Sequence, residues 1–419
     1  MISQRMELLF WAHTSKSNPE LVTIYFRLTL SKTRVELGST GIKVHRKHWS
    51  SEAQRITART PVAQQQNHTL EIWRSRGMAI HNELMLKREP FSASYFKKLF
   101  QQNGRGFTFL QLFTTYLAGV KKDPDITAGT YETYSAVFKK VDGWLVAKKQ
   151  ADLPAEKFSL AVIEQYRGFM RITEKRASAT IRKHTQTIKQ VLSWGLLNDY
   201  TVKDPLQGYR VAREKTKPPV FLLPFELMQL LEFSFAPHET VLSQIRDNFL
   251  IQCFTGFAYA DLKTFTSSDI LSKEQRAPDG STIKFLPWVE KDRKKTGNTA
   301  MQPLHPIVSQ ILAARYDGRP EKLRIRPNQK TNLYLKVIGL KLDFIKVLTT
   351  HVGRRTFANL CLNGGLFSPL FASIAPEVLE FKDGHFSKEA TITMMGRTSD
   401  KGLEAYVKVD ERRIMSELQ

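Results

Sequence analysis

The chain has 419 residues, with 63 lysines and arginines against 40 acidic residues and a formal net charge of +23. At 42% hydrophobic and 11% aromatic residues it can bury real cores, which excludes a disordered basic tail, and its length exceeds one ordinary domain. Two cysteines, Cys253 and Cys361, cannot build a disulfide framework or a cysteine-ligated zinc site. No apolar run is long enough to cross a bilayer, and the opening stretch MISQRMELLFWAH has no signal-peptide core. These features predict a soluble, multidomain protein of a reducing compartment with a polyanionic partner and no membrane.

The charge is uneven. Residues 1–103 carry 16 basic and 7 acidic side chains, residues 104–217 carry 20 and 11, and the remainder 27 and 22. Two strongly positive modules followed by one nearer to balance suit two grasping parts and one with finer work. In the first, Val22, Ile24, Phe26, Leu28 and Leu30 alternate with polar residues, the period of a half-buried strand. A turn at Ser31–Lys32 leads to Arg34–Leu37. Gly38 and Gly41 then break the chain before Ile42–Val44, so three short strands are expected, followed by a basic patch including Arg46 and Lys47. Leu70, Trp73, Gly77, Ile80 and Leu84 mark an amphipathic helix, read as a spacer between modules.

Residues 104–212 read as all-helical. Apolar faces are set by Phe109, Leu112, Phe113, Tyr116 and Leu117; by Tyr131, Tyr134, Phe138, Val141 and Leu145; by Leu160, Ile163, Phe169 and Met170; and by Ile181, Ile188, Val191, Leu192 and Leu196. On the last helix Arg182, Lys183 and Lys189 stand among short polar residues opposite the stripe, a pattern suited to phosphate oxygens as well as to plain solvent. A basic, proline-stiffened linker follows at about 211–219. Beyond it, residues 218–419 mix helix and strand. Leu223-Pro224 opens one helix, Leu242, Ile245, Phe249 and Cys253 line a second ended by Gly256, and Ile283 to Leu304 reads as a β-hairpin.

The third segment holds Thr255-Gly-Phe-Ala-Tyr-Ala-Asp-Leu262, then Lys294-Lys295-Thr-Gly297, then His351-Val-Gly-Arg354, then Gly396-Arg397 and, nine residues further, Tyr406. Each motif alone is common; their order and spacing are not. On these residues the chain resembles the tyrosine recombinases of the phage-integrase family, most of all mobile-element integrases of Bacteroidota. The resemblance covers nearly the whole chain and implies a mainly α fold with small β-sheets. Its parts are an N-terminal arm-binding β-sheet module with a linking helix (1–103), a helical SAM-like core-binding domain (104–212) and an α+β catalytic domain (218–419).

The resemblance also implies the chemistry. Tyr406 is the expected nucleophile, conserving the phosphodiester as a 3′-phosphotyrosine. Arg354 offers a planar fork for two phosphoryl oxygens. His351 is expected to bond a non-bridging oxygen or assist proton movement, and Lys295 to protonate the leaving 5′ oxygen. No cofactor and no metal are implied. Expected partners are double-stranded DNA attachment sites, a homo-tetramer on synapsed DNA, and candidate host DNA-bending and excision factors. The expected location is the bacterial cytoplasm at the nucleoid.

The chain also departs from the family pattern. Ala258 stands where the family has its first arginine, leaving Arg293 and Arg246 as candidate replacements. Arg397 stands where histidine or tryptophan is usual and can still donate to phosphate. The stretch 366–395 is longer than the usual connection and contains His385, a weaker candidate for the missing histidine role. Ile414, Met415 and Leu418 after Tyr406 suit docking on a neighbour or folding back. Ala258 and Arg397 support a rival reading, a catalytically attenuated DNA-binding architectural or regulatory relative. A type IB topoisomerase or telomere resolvase is a third.

Overall fold

A computed structural model describes residues 6–14, 18–87, 90–212, 218–272, 274–276, 282–284, 287–399 and 409–418. The chain divides into two compact units, Met1–Lys215 and Thr216–Gln419.

The first unit opens with an antiparallel sheet in the order β1-β2-β3, formed by Met6–Thr14, Leu21–Leu30 and Thr33–His45. Every second residue of β2, from Val22 to Leu30, is buried, as its alternation predicts. Ser31 and Lys32 make the tight turn, both with positive φ. Two expectations change here. The stretch from Arg34 to Val44 is one strand and not two: Gly38 and Gly41 take positive φ and shift the register without ending the pairing. The third strand is β1 instead, in register with β2 through Phe10–Phe26 and Trp11–Tyr25.

A two-residue ladder, β4 (Trp49–Ser50) with β5 (Arg55–Ile56), leads to helix α1, Pro61–Leu86, capped by Thr60. This helix is no spacer. Leu8 and Phe26 pack onto its Gly77, and Leu70, Ile80 and Leu84 are buried in one core with the sheet and with α2, Ala93–Gln101. Helices α3 (Phe109–Lys122), α4 (Ala128–Ala147), α5 (Leu160–Ile172) and α6 (Ser178–Leu197) bury the predicted stripes around Phe109, Phe113, Val141, Ile163 and Ile188. Ser92 Oγ donates to Asp199 at 2.6 Å and Tyr95 Oη to Glu156 at 3.1 Å, tying α2 to the helical core.

The second unit surrounds two buried helices. Helix α7 (Pro224–Glu232) precedes α8 (Thr240–Thr255), followed by the short α9 (Tyr259–Leu262). Strands β6 (Ile270–Leu271), β9 (Trp288–Asp292) and β10 (Thr299–Pro303) form an antiparallel sheet ordered β10-β9-β6, and β7 (Glu274–Arg276) pairs with β8 (Thr282–Lys284). Helices α10 (Pro306–Tyr316), α11 (Asn328–Lys341), α12 (Thr350–Asn363), α13 (Lys388–Met394) and α14 (Glu411–Leu418) complete it. Helix α12 packs along α8, with Phe249, Phe254, Phe357 and Leu360 buried between the surrounding elements. The long stretch after Gly365 belongs to this core: Phe371, Ala375 and Val378 are fully buried.

Candidate active site

The site is organised by the end of α8. Gly256 caps that helix at φ +65, a conformation that L side chains rarely adopt. The Phe357 ring of α12 also lies where a Cβ at this position would project, 2.5 Å away. The turn leaves the Gly256 carbonyl facing α12, where Arg354 Nη1 donates to it. Arg354 Nη2 donates to the Met395 carbonyl at 2.8 Å, and the residue is only 5% exposed. Two main-chain acceptors thus orient the fork from both sides.

Ala258 and Asp261 lie just beyond Gly256. Asp261 is buried, and its carboxylate accepts from the backbone amides of Ala258 at 3.2 Å and Lys294 at 3.0 Å. It also stands 3.6 Å from Arg293 Nε. Arg293 leaves the end of β9, passes against Gly396 and donates through Nη1 to the Gly396 carbonyl at 3.2 Å. Arg293 is therefore brought beside the segment where Ala258 lacks a cation, and it shares the 395–396 turn with Arg354. Lys295 is exposed in the turn between β9 and β10, closed by Gly297 N–H to Arg293 O at 2.9 Å. Arg397 is half-buried directly after the shared turn, its amide bonded to Ile392 O.

His351 lies in the first turn of α12, three residues before Arg354 and capped by Thr349. Its ring reaches solvent, yet partial desolvation, then repulsion from Arg355 and Arg354, holds its pKa below the usual imidazole range. It is thus predominantly neutral near pH 7. Tyr406 lies outside the described residues. Among the described residues no group of three or more His, Cys, Asp or Glu could hold a metal ion.

Arg246 is a correction. It is 4% exposed, bonds Asp247 through Nε and Nη2 at 3.1 and 2.9 Å, and donates to Phe233 O at 2.8 Å. Arg315 and Tyr316 bond the same Asp247, so this arginine closes a structural network at the end of α7. Lys189 is a second correction: its ammonium donates to the Tyr209 carbonyl and lies 5.6 Å from that ring, pinning the chain ahead of the linker. Lys183 is exposed and Arg182 half-buried on the same helix, while Arg46 and Lys47 are exposed on a single turn after β3. His385 approaches Glu417 of α14 at 4.0 Å.

One cluster escaped the sequence reading. On the open face of the first sheet Trp11 lies 5.5 Å from Tyr25, His13 lies 5.8 Å from Tyr25, and Arg27 stands 5.9 Å over Trp11. The signal was available in the odd-numbered residues of β2, opposite its buried face. It was missed because β1 carries apolar residues at both parities.

The two halves of the first unit match known family models: an arm DNA-binding domain over residues 10–97 and a phage integrase SAM-like domain over 108–212. Tyrosine recombinase XerD of Staphylococcus haemolyticus is 24% identical over 264 residues, 60% of this chain and 84% of its own. A lambda integrase(75-356) dimer bound to a COC′ core site superposes with a TM-score of 0.52 at 15% identity, covering 73% of this chain and 97% of that one. A lambda integrase tetramer bound to a Holliday junction also gives 0.52, at 14% identity, covering 96% and 97%. On these matches the chain is similar to the tyrosine recombinases of the phage-integrase family. Among the described residues no helix is long and apolar enough to cross a membrane.

Proposed function

We propose that the protein is a site-specific recombinase that cuts and rejoins DNA through a covalent 3′-phosphotyrosine. Tyr406 Oη gives up its proton to neutral His351 and attacks the scissile phosphorus, the P–O5′ bond breaks, and Lys295 supplies the proton that the departing 5′ oxygen takes up. Phosphoryl oxygens are held by Arg354, Arg293 and Arg397, with His351 as a further hydrogen-bonding partner. Rejoining reverses the step with the 5′ hydroxyl of another strand, so the bond energy is kept in the phosphotyrosine. Arg293 takes the place of the arginine absent at Ala258. The observation that supports this is the pair of guanidiniums on consecutive carbonyls, Met395 and Gly396, beside Asp261.

On this reading residues 1–103 bind arm sites, 104–212 and 218–419 clamp the core site through the linker, and four protomers exchange strands through a Holliday junction. Integration and excision, or inversion, of a mobile element in a bacterial nucleoid is the corresponding role, with host bending and excision factors as partners. Arg46, Lys47, Arg182 and Lys183 are proposed phosphate contacts. The Trp11–Tyr25–Arg27 face supplies aromatic and cationic surface for arm DNA. Ala258 favours the rival, a DNA-binding relative without cleavage.

A nicked suicide duplex, drawn from a pool selected for binding and with the nick moved along one strand, separates the two. A recombinase becomes covalently attached to one member of the panel. Tight binding with no attachment to any member leaves the rival standing.

A further inference from the structure

The segment after the linker runs along the helix that carries His351 and Arg354, and this contact has no part in the chemistry above. Leu222 is fully buried, and its amide donates to Thr356 Oγ1 of α12 at 2.9 Å. Thr356 is itself fully buried in α12. Before α12, Lys346 pairs with the largely buried Glu226, whose carboxylate also accepts the Leu223 amide at 2.7 Å. After α12, Pro224 packs against Gly365, its Cγ 2.8 Å from where a Cβ would project. Residues 222–226 therefore touch the entry, the middle and the exit of one helix.

We propose that this strap fixes the register of α12 on α8 and that Thr356 is a positioning residue for Arg354. The proposal rests on the recombinase reading above. The path is short. The strap amide holds Thr356; the next residue, Phe357, packs on Gly256; and the Gly256 carbonyl holds Arg354 Nη1. Thr356 touches no reacting atom in this account. Its hydroxyl accepts the amide of a fully buried residue, and without it α12 loses a polar contact to the strap. Residues 222–226 thus begin the second unit against the helix that carries Arg354.

The test uses full-length Thr356→Val, which keeps the shape and removes the hydroxyl, and Thr356→Ser, which restores it. Both are assayed for single-turnover attachment to the nicked duplex at saturating protein, and for equilibrium binding to the same duplex. The Val protein is expected to attach about tenfold more slowly at unchanged affinity, the loss expected of a transition-state contact, with Ser within about twofold of wild type. Lys346→Gln, a partly exposed change that loosens the strap elsewhere, is expected to slow attachment about threefold at unchanged affinity and serves if the Val protein does not fold. Wild-type rates in the Val and Lys346→Gln proteins, or equal slowing by Val and Ser, overturn the strap. A wild-type protein that never attaches overturns the recombinase reading instead.

Discussion

Arg293 and Arg354 grip successive carbonyls of one turn: Arg354 Nη2 donates to Met395 O at 2.8 Å and Arg293 Nη1 to Gly396 O at 3.2 Å. One comes from a buried helix and the other from the end of a hairpin strand, and between them lies the segment in which Ala258 has no charge to offer. Arg293→Ala is therefore expected to slow covalent attachment by roughly 100- to 1000-fold, the usual cost of losing a preorganised donor. Arg246→Ala is expected to act elsewhere. It strips a buried partner from Asp247 and costs about 3–5 kcal/mol of stability, read as a lowered Tm. A normal rate in the Arg293 variant, measured with the nicked duplex, removes it from the site.

Gly256 sets a limit on the helix–helix contact. A side chain there meets Phe357 at 2.5 Å and must also adopt φ +65. Gly256→Ala is expected to destabilise the protein by about 1–3 kcal/mol from overpacking and strain. Gly143→Ala, in α4 with nothing within 4 Å of the new methyl, is expected to gain about 0.5–1 kcal/mol. Denaturant midpoints of the two variants should move in opposite directions.

Acid sensitivity follows from His305. Its ring is stacked between Phe254 and Phe367, bonds the Leu366 carbonyl at 2.8 Å and accepts the Ile307 amide. Burial pushes its pKa down to about 3. Because the unfolded chain binds this proton more readily than the folded one, its contribution is intact above the unfolded histidine pKa of about 6.5. It falls as the pH drops from there toward 3, by up to about 1.4 kcal/mol per pH unit. His184 and His351 are shifted in the same direction and add to the slope. Unfolding free energies between pH 7 and pH 5 should fall with acid, and His305→Phe should flatten that fall. An unchanged slope in the variant contradicts the assignment.

Phosphate contacts are separable from structural cations by their salt response. Removing Arg46 and Lys47 together is expected to reduce the slope of log K against log salt for arm-site DNA by about 2. Lys189→Ala is expected to leave that slope unchanged and to lower the Tm, because its ammonium is spent on Tyr209.

The helical stripes of residues 104–212 and the alternation of β2 were legible because one face of each is buried and the other is more open. Strand β1 was not, since Leu9 and Trp11 put apolar residues on the open face and blur the period of two. Gly38 and Gly41 read as breaks because composition does not distinguish an interrupted strand from a bulged one. In the site, the order of motifs pointed to Arg354 and His351. The choice between Arg293 and Arg246 depended on which way each side chain turns: Arg246 is held inside by its neighbour Asp247 and by Phe233, whereas Gly396 draws Arg293 across more than a hundred residues. Thr356 carried no motif at all, and only its bond to Leu222 marks it.

The most direct measurement is the identity of the atom joined to DNA. After attachment to the nicked duplex, nuclease and protease digestion followed by mass spectrometry should yield one peptide containing Tyr406 with the phosphate added, and Tyr406→Phe should yield no attachment while binding the duplex normally. Attachment through any other residue, or attachment undiminished in the phenylalanine protein, contradicts the account.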